Sequence, residues 1–161
     1  MANTGKIIAY IRANRVLSLC SVRGSTPWAA NCFYALDEQA MVLLFMSERS
    51  TRHGSELLDN DQVAGTISSQ ESNIAKLRGV QFAGRVRCLE GEEQQRGLAT
   101  YFRKFPFARL KPAPLWAITL YHLKYTDNTF GFGTKMHWQR RGAPADDGAP
   151  CTLPGKWPSL R

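Results

Sequence analysis

Histidine is scarce in this chain, cysteine is scattered, acidic residues are outnumbered, and no apolar stretch is long. Each shortage excludes something. His53, His122 and His137 stand far apart, and Cys20, Cys32, Cys88 and Cys151 include no C-x-x-C pair, so the expected metal content is none. Three of the cysteines fall in strand-like segments, where a free thiol behaves as a small hydrophobe, and a reducing compartment is the simplest setting. No run approaches a bilayer crossing, and the N-terminus lacks both the apolar core and the small-residue cleavage site of a secretory signal. The expectation is a cytoplasmic chain with no membrane partner. Against 13 Asp and Glu stand 21 Lys and Arg, a net charge of +8, yet no zinc-finger, helix-turn-helix or RNP-like pattern accompanies them. The excess fits an anionic partner, with nucleic acid the weaker candidate.

What is present centres on Met41 to Asn60, MVLLFMSERSTRHGSELLDN. Six apolar residues from Met41 to Met46 run without alternation, the pattern of a strand covered on both faces. Ser47, Ser50 and Thr51 then supply hydroxyls and Arg52 a guanidinium. Gly54 to Leu58 read as the start of a short helix with Leu57 and Leu58 turned inward. Hydroxyls and an arginine delivered to a helix start make an anion site, because unpaired N–H groups and the positive helix end point to one place. A cofactor phosphate would sit there. The same residues also fit a plainer reading, with Ser50 or Thr51 as an N-cap and Arg52 as a solvated first-turn side chain.

Around this stretch the pattern is mostly strand. Thr4 can cap a short helix burying Ile7, Ile8 and Ile11 and ending near Asn14. Strands follow at Val16 to Val22 and Trp28 to Leu36, the second alternating and carrying a lone strongly polar side chain, Asn31. A turn at Asp37 to Gln39 joins it to the Met41 strand as a hairpin. Gln62 to Ser68 reads as a strand, Glu71 to Lys76 as a loop, and Val80 to Leu89 as an alternating strand with Gln81, Arg85 and Arg87 on its polar face. From Glu92 to Phe105 the period becomes helical, and Pro106 ends the helix. A last long strand, Leu115 to Tyr125, leads to an Asx-type turn at Thr126 to Asn128. Gly131-Phe-Gly133 lacks the third glycine and following helix of a nucleotide loop. Lys135, His137 and Trp138 read as a solvated terminal hairpin, with contact to a ligand or a neighbouring subunit as the alternative, and residues 139–161 as a flexible tail after a single domain spanning 1–138.

Six strands of this character close into a barrel to remove their edges, giving a mainly β fold: a six-stranded antiparallel split β-barrel with short flanking helices. A barrel so small is filled by its own side chains, so any cofactor lies outside it. Ser47 to His53 (SERSTRH), Arg78 to Val86 (RGVQFAGRV), Phe105 to Arg109 (FPFAR) and Lys124 to Met136 (KYTDNTFGFGTKM) resemble the YhbP-like family. That family lies within the pyridoxamine-phosphate-oxidase-like FMN-binding split-barrel superfamily. The resemblance implies a homodimer with FMN at the subunit interface, and an FMN-dependent oxidoreductase acting on a small substrate of unknown identity.

Carried over by position, the resemblance puts Ser50, Thr51 and Arg52 on the phosphate with His53 beside it. It sets Met46 and Ser47 along the flavin edge, Asn31 and Cys32 beneath the ring, and Gln81 within reach of it. No catalytic acid or base is implied. The strand from Asn31 to Leu36 lacks the arginine and lysine that grip the cofactor in the oxidases, which argues against pyridoxamine phosphate oxidase activity. The alternative is a binding module without turnover, its cleft holding haem, a deazaflavin coenzyme or another anionic metabolite.

Overall fold

A computed structural model describes residues 2–131 and 133–143. It opens with α1 (Ala2–Ala13), then β1 (Val16–Arg23), β2 (Thr26–Asp37) and β3 (Val42–Met46). After α2 (Arg52–Asp59) come β4 (Gln62–Ser68) and β5 (Arg78–Cys88), then α3 (Gly91–Lys104), β6 (Leu115–Asp127) and β7 (Lys135–Gln139). All strand pairs are antiparallel, and the order β3-β2-β1-β4-β5-β6 returns to β3 through a β3–β6 ladder, closing a ring of six. β7 adds to the half of β6 that β3 leaves uncovered, from His122 to Thr126. Arg140 bridges the place where β3 and β7 part. Its Nε donates to the Leu120 carbonyl at 2.8 Å, and its Nη2 donates to the carbonyls of Ala40 and Met41 at 2.7 and 3.0 Å.

Alternation builds the ring. Leu17 and Leu19 of β1, Phe82 and Val86 of β5, and Trp116 and Ile118 of β6 point inward and are buried. α1 plugs one end with Ile7 and Ile11, both fully buried, while the Tyr10 hydroxyl donates to the Arg78 carbonyl at 2.8 Å. Outside the ring, Tyr101 of α3 and Leu89, just before that helix, cover Ala35, Leu44, Leu115 and Ala117. β3 and the start of β6 are therefore apolar on both faces, which is why the Met41 run does not alternate. Gly97 permits this contact, since a Cβ there would lie 2.7 Å from Leu115 Cδ2.

Several local expectations are corrected. Leu57 is buried but Leu58 is 58% exposed, because α2 begins at Arg52 and its rotation turns Leu58 to the solvent side. Thr4 lies inside α1 rather than at its cap. Met41 sits at φ +52 in the hairpin turn, so β3 starts one residue later. Glu71 to Lys76 contains a 3-10 turn at Ile74–Lys76. The terminal hairpin expected at Lys135 to Trp138 forms as β7, a seventh strand outside the ring and antiparallel to the end of β6; Lys135, His137 and Gln139 face solvent, but Met136 and Trp138 pack against the core. Gln139, expected in the tail, belongs to that strand, and residues 144–161 lie outside the described residues. Among the described residues no helix is long and apolar enough to cross a membrane.

The ring leaves no space at Gly65, where a Cβ would run into the Ser18 carbonyl and the Phe82 ring. Gly65→Ala should lower stability by roughly 1–3 kcal/mol, read as a lower urea midpoint at unchanged slope. Gly79→Ala, whose added carbon meets nothing nearer than the Ile67 carbonyl at 3.5 Å, should stay close to the parent. Equal midpoints for the two variants would contradict the packing described.

Candidate functional site

The chain leaving β3 is pinned to β6 before it turns. Ser47 N donates to the Pro114 carbonyl at 3.1 Å, and Trp116 Nε1 donates to the Ser47 carbonyl at 2.9 Å. Thr51 is the N-cap of α2: its Oγ1 accepts from Gly54 N at 3.1 Å and donates to the Glu48 carbonyl at 2.8 Å. Ser50 is exposed beside it. The first amides of α2, those of Arg52 and His53, have no acceptor within the helix. His53 Nε2 stands 2.7 Å from Ser47 Oγ and 3.3 Å from Thr51 Oγ1. Burial holds the imidazole below its usual range, with Glu56 pulling the other way, and the neutral ring accepts from Ser47 when its proton is on Nδ1.

Arg52 is not a freely solvated side chain. Its Nε donates to Glu56 Oε1 at 3.0 Å, and its guanidinium lies 4.0 Å over the Trp28 ring. Glu56 is 2% exposed and also accepts from Ser21 Oγ at 2.5 Å. That hydrogen bond, and then Arg52, hold its carboxyl below the usual range although burial opposes them. The start of α2 thus presents hydroxyls, amides and the Arg52 cation, whose charge is shared with a buried carboxylate, while Arg49 of the same loop pairs with Glu90 at 3.0 Å.

A second group of residues lies on the outer wall that α3 does not cover. Register places Asn31 opposite Ser18, Ser18 opposite Thr66, Thr66 opposite Gln81, and Gln81 opposite Lys124, one row across five strands. Ser18 Oγ donates to Asn31 Oδ1 at 2.8 Å. The next row is Ala29, Cys20, Ala64, Ala83 and His122. On a chain of net charge +8, this wall from Ala29 and Asn31 to Gln81 and Ala83 carries no charge at all. Charges begin at its borders, with Arg85 beside Asp61 at 3.1 Å and with Lys124.

The residues expected at a cofactor site therefore divide. Ser47, Ser50, Thr51, Arg52 and His53 converge at the start of α2, while Asn31 and Gln81 share the wall. Cys32 and Met46 do not join either group through their side chains. Cys32 points into the barrel, 7% exposed, and burial pushes its thiol up to about 11. Met46 packs in the cluster under α3. Asn31 finds its partner on β1 rather than at the end of β3, because Tyr34 pairs with Phe45 and leaves Asn31 beyond the last β3 residue. Sequence reasoning misses Ser18, Ser21, Trp28, Glu56 and Thr66. The alternation of Leu17 and Leu19 with Ser18 and Cys20 signals an outward polar face, but which strands flank it is set by register.

Comparison with known proteins places the chain among relatives. It is 43% identical over 131 residues, 81% of this chain and 89% of the relative, to a UPF0306 protein of Yersinia pseudotuberculosis. Among solved structures it resembles a haem-binding protein from Mycobacterium smegmatis, with a TM-score of 0.69 and 19% identity over 85% of this chain and 56% of that one. It also resembles an FAD-binding protein from Mesorhizobium loti, with a TM-score of 0.63 and 15% identity over 74% of this chain and 91% of that one. No protein-family model matches the chain.

Because His53 is held below its usual value, the folded chain binds a proton there less readily than the unfolded chain. The resulting stability is present at neutral pH and is lost as pH falls below about 6.5. Urea unfolding between about pH 7 and about pH 5 should give a shallower decline for His53→Asn than for the parent, with carboxylates dominating only below that window. Identical slopes would assign the titration to another group.

Proposed function

The chain belongs to the UPF0306 family, and from that premise we propose that it is a homodimeric flavin-binding split-barrel protein holding FMN where the uncharged wall of one subunit faces its partner. What carries the reading is that wall. Interface cores are depleted of charge, and a solvent face of a strongly basic chain would not be. The phosphate lies against Ser50, Thr51 and Arg52 with His53 beside it, Ser47 and the backbone of Met46 run along the flavin edge, and the ring rests over Asn31 and the backbone of Cys32 within reach of Gln81. The donors suit the group: open helix amides and a guanidinium for a dianion, primary amides and hydroxyls for the ring edges. Each charge-assisted bond to the phosphate contributes about 1.5–3 kcal/mol, and Glu56 draws off part of what Arg52 offers.

When bound, the flavin supplies hydride acceptance and return, so the chain acts as an oxidoreductase on a small substrate. Asn31 and Gln81 orient the ring through their amides, Ser47 and His53 keep hydroxyl and imidazole fixed near its edge, and the partner wall excludes water. Membership of the narrower YhbP-like group and a cytoplasmic setting belong to the same proposal. Haem in place of flavin is the second reading, favoured by the haem-binding structural neighbour and by the imidazoles of His122 and His137, 3.2 Å apart at the far side of the wall.

A visible spectrum of protein taken directly from cells separates the two: a flavin band bleached by dithionite is expected, and a Soret band would replace it with haem. Arg52→Ala should weaken FMN about tenfold or more in a fluorescence titration. Parent-level affinity would remove the phosphate assignment. Ala64→Arg sets a charge in the middle of the wall and should give monomers by light scattering that no longer retain flavin. A variant that stays dimeric and yellow would put the interface elsewhere.

A further inference from the structure

At the end of α3 the chain turns through Phe105-Pro106-Phe107-Ala108-Arg109, and this turn builds a pocket that the cofactor reading leaves unused. Its volume is about 450 Å³, and Phe33, Tyr101, Phe105 and Phe107 line it together with Arg15 and Lys104. The size suits a small organic ligand. The Phe105 ring stands edge-on to Phe33 at 5.5 Å and tilted to Tyr101 at 5.1 Å. Phe33 is 59% and Phe107 84% exposed, so the aromatic lining is open rather than packed against the chain.

The charged side chains of the pocket are both cationic, for no Asp or Glu is among its lining residues. Lys104 Nζ donates to the Asn14 carbonyl at 2.5 Å and the Arg12 carbonyl at 3.3 Å, and lies 4.6 Å over the Tyr34 ring. These bonds tie α3 to the end of α1, and they leave one of the three ammonium protons for another acceptor. Burial, with Arg15 nearby, pushes Lys104 down to about 8. A structural tie between helices accounts for Lys104 but not for the open aromatic rings or for Arg15.

We propose that this pocket binds a small aromatic carboxylate, its ring against Phe33, Phe105 and Phe107 and its carboxylate against Arg15 and Lys104. Phe33 stands two residues from Asn31 on β2, so the pocket opens beside the position given to the flavin. The inference therefore names a substrate class for the proposed function and rests on that reading for turnover, though not for binding.

Ligand-observed NMR titrations of the full chain with naphthoate, and with naphthylmethanol as the same ring without charge, test it in flavin-free and flavin-loaded samples. Naphthoate should bind about tenfold more tightly than the alcohol. Arg15→Gln should bring the acid down toward the alcohol, and Phe107→Ser should weaken both. Each replaces an exposed side chain, and circular dichroism checks that the fold is kept. Equal affinity for acid and alcohol, or parent-level binding by both variants, overturns the proposal. So does displacement of naphthoate by FMN, which would give the pocket to the cofactor, or by subunit association at higher protein concentration, which would give it to a second copy. Naphthoate binding by a protein that takes up no flavin upholds the pocket while the cofactor reading fails; flavin uptake without naphthoate binding does the reverse.

Discussion

Val42 to Met46 pair with Thr119 to Leu115, and this short ladder turns an open sheet into a ring. Once the ring closes, its inside is a packed core of Leu19, Phe45, Phe82, Trp116 and Ile118, with no room for anything else. Whatever the chain does must then happen on the outer surface. That surface is divided: α3 seals the side formed by β3 and the start of β6, and the side formed by β1, β4 and parts of β2 and β5 is left bare and uncharged.

The same closure decides what a reader of the sequence can see. β4 is legible to the residue as Gln62–Ser68, and the alternation of Val80, Phe82, Gly84 and Val86 places β5 and its faces, because a strand with one wet side writes its period locally. Val42 to Met46 of the unbroken run also read correctly as a strand, since both covers, core and helix, are apolar. Leu58 misleads because a helix guessed only from Gly54 onward leaves the rotation of α2 free, and its start at Arg52 is what fixes which leucine faces inward. The site is less legible for a stated reason. Thr51 and Gly54 are three residues apart and their capping bond is local, whereas Ser21 reaches Glu56 across 35 residues. The row from Asn31 through Ser18 and Thr66 to Gln81 depends on three separate registers, none of which is written in any one segment.

Glu56 gives the start of α2 its electrostatic character. A buried carboxylate needs partners, and Ser21 and Arg52 supply them, so the arginine nearest the open helix amides arrives already engaged. Its guanidinium also lies over the Trp28 ring, on the face of β2 opposite to Ala29 and Asn31. The start of α2 is thereby a positive corner of limited strength, one that discriminates by shape and hydrogen bonding more than by charge.

Arg140 adds a consequence of another kind. Where β3 and β7 separate, three carbonyls from two distant stretches converge on one guanidinium, so a side chain stands in for the backbone rungs that hold neighbouring staves together elsewhere. Removing that one residue loosens the hoop at a single joint while every strand ladder keeps its own bonds. Solvent would reach the interior first along this line, and deuterium uptake at neighbouring amides would report the breathing of the whole container.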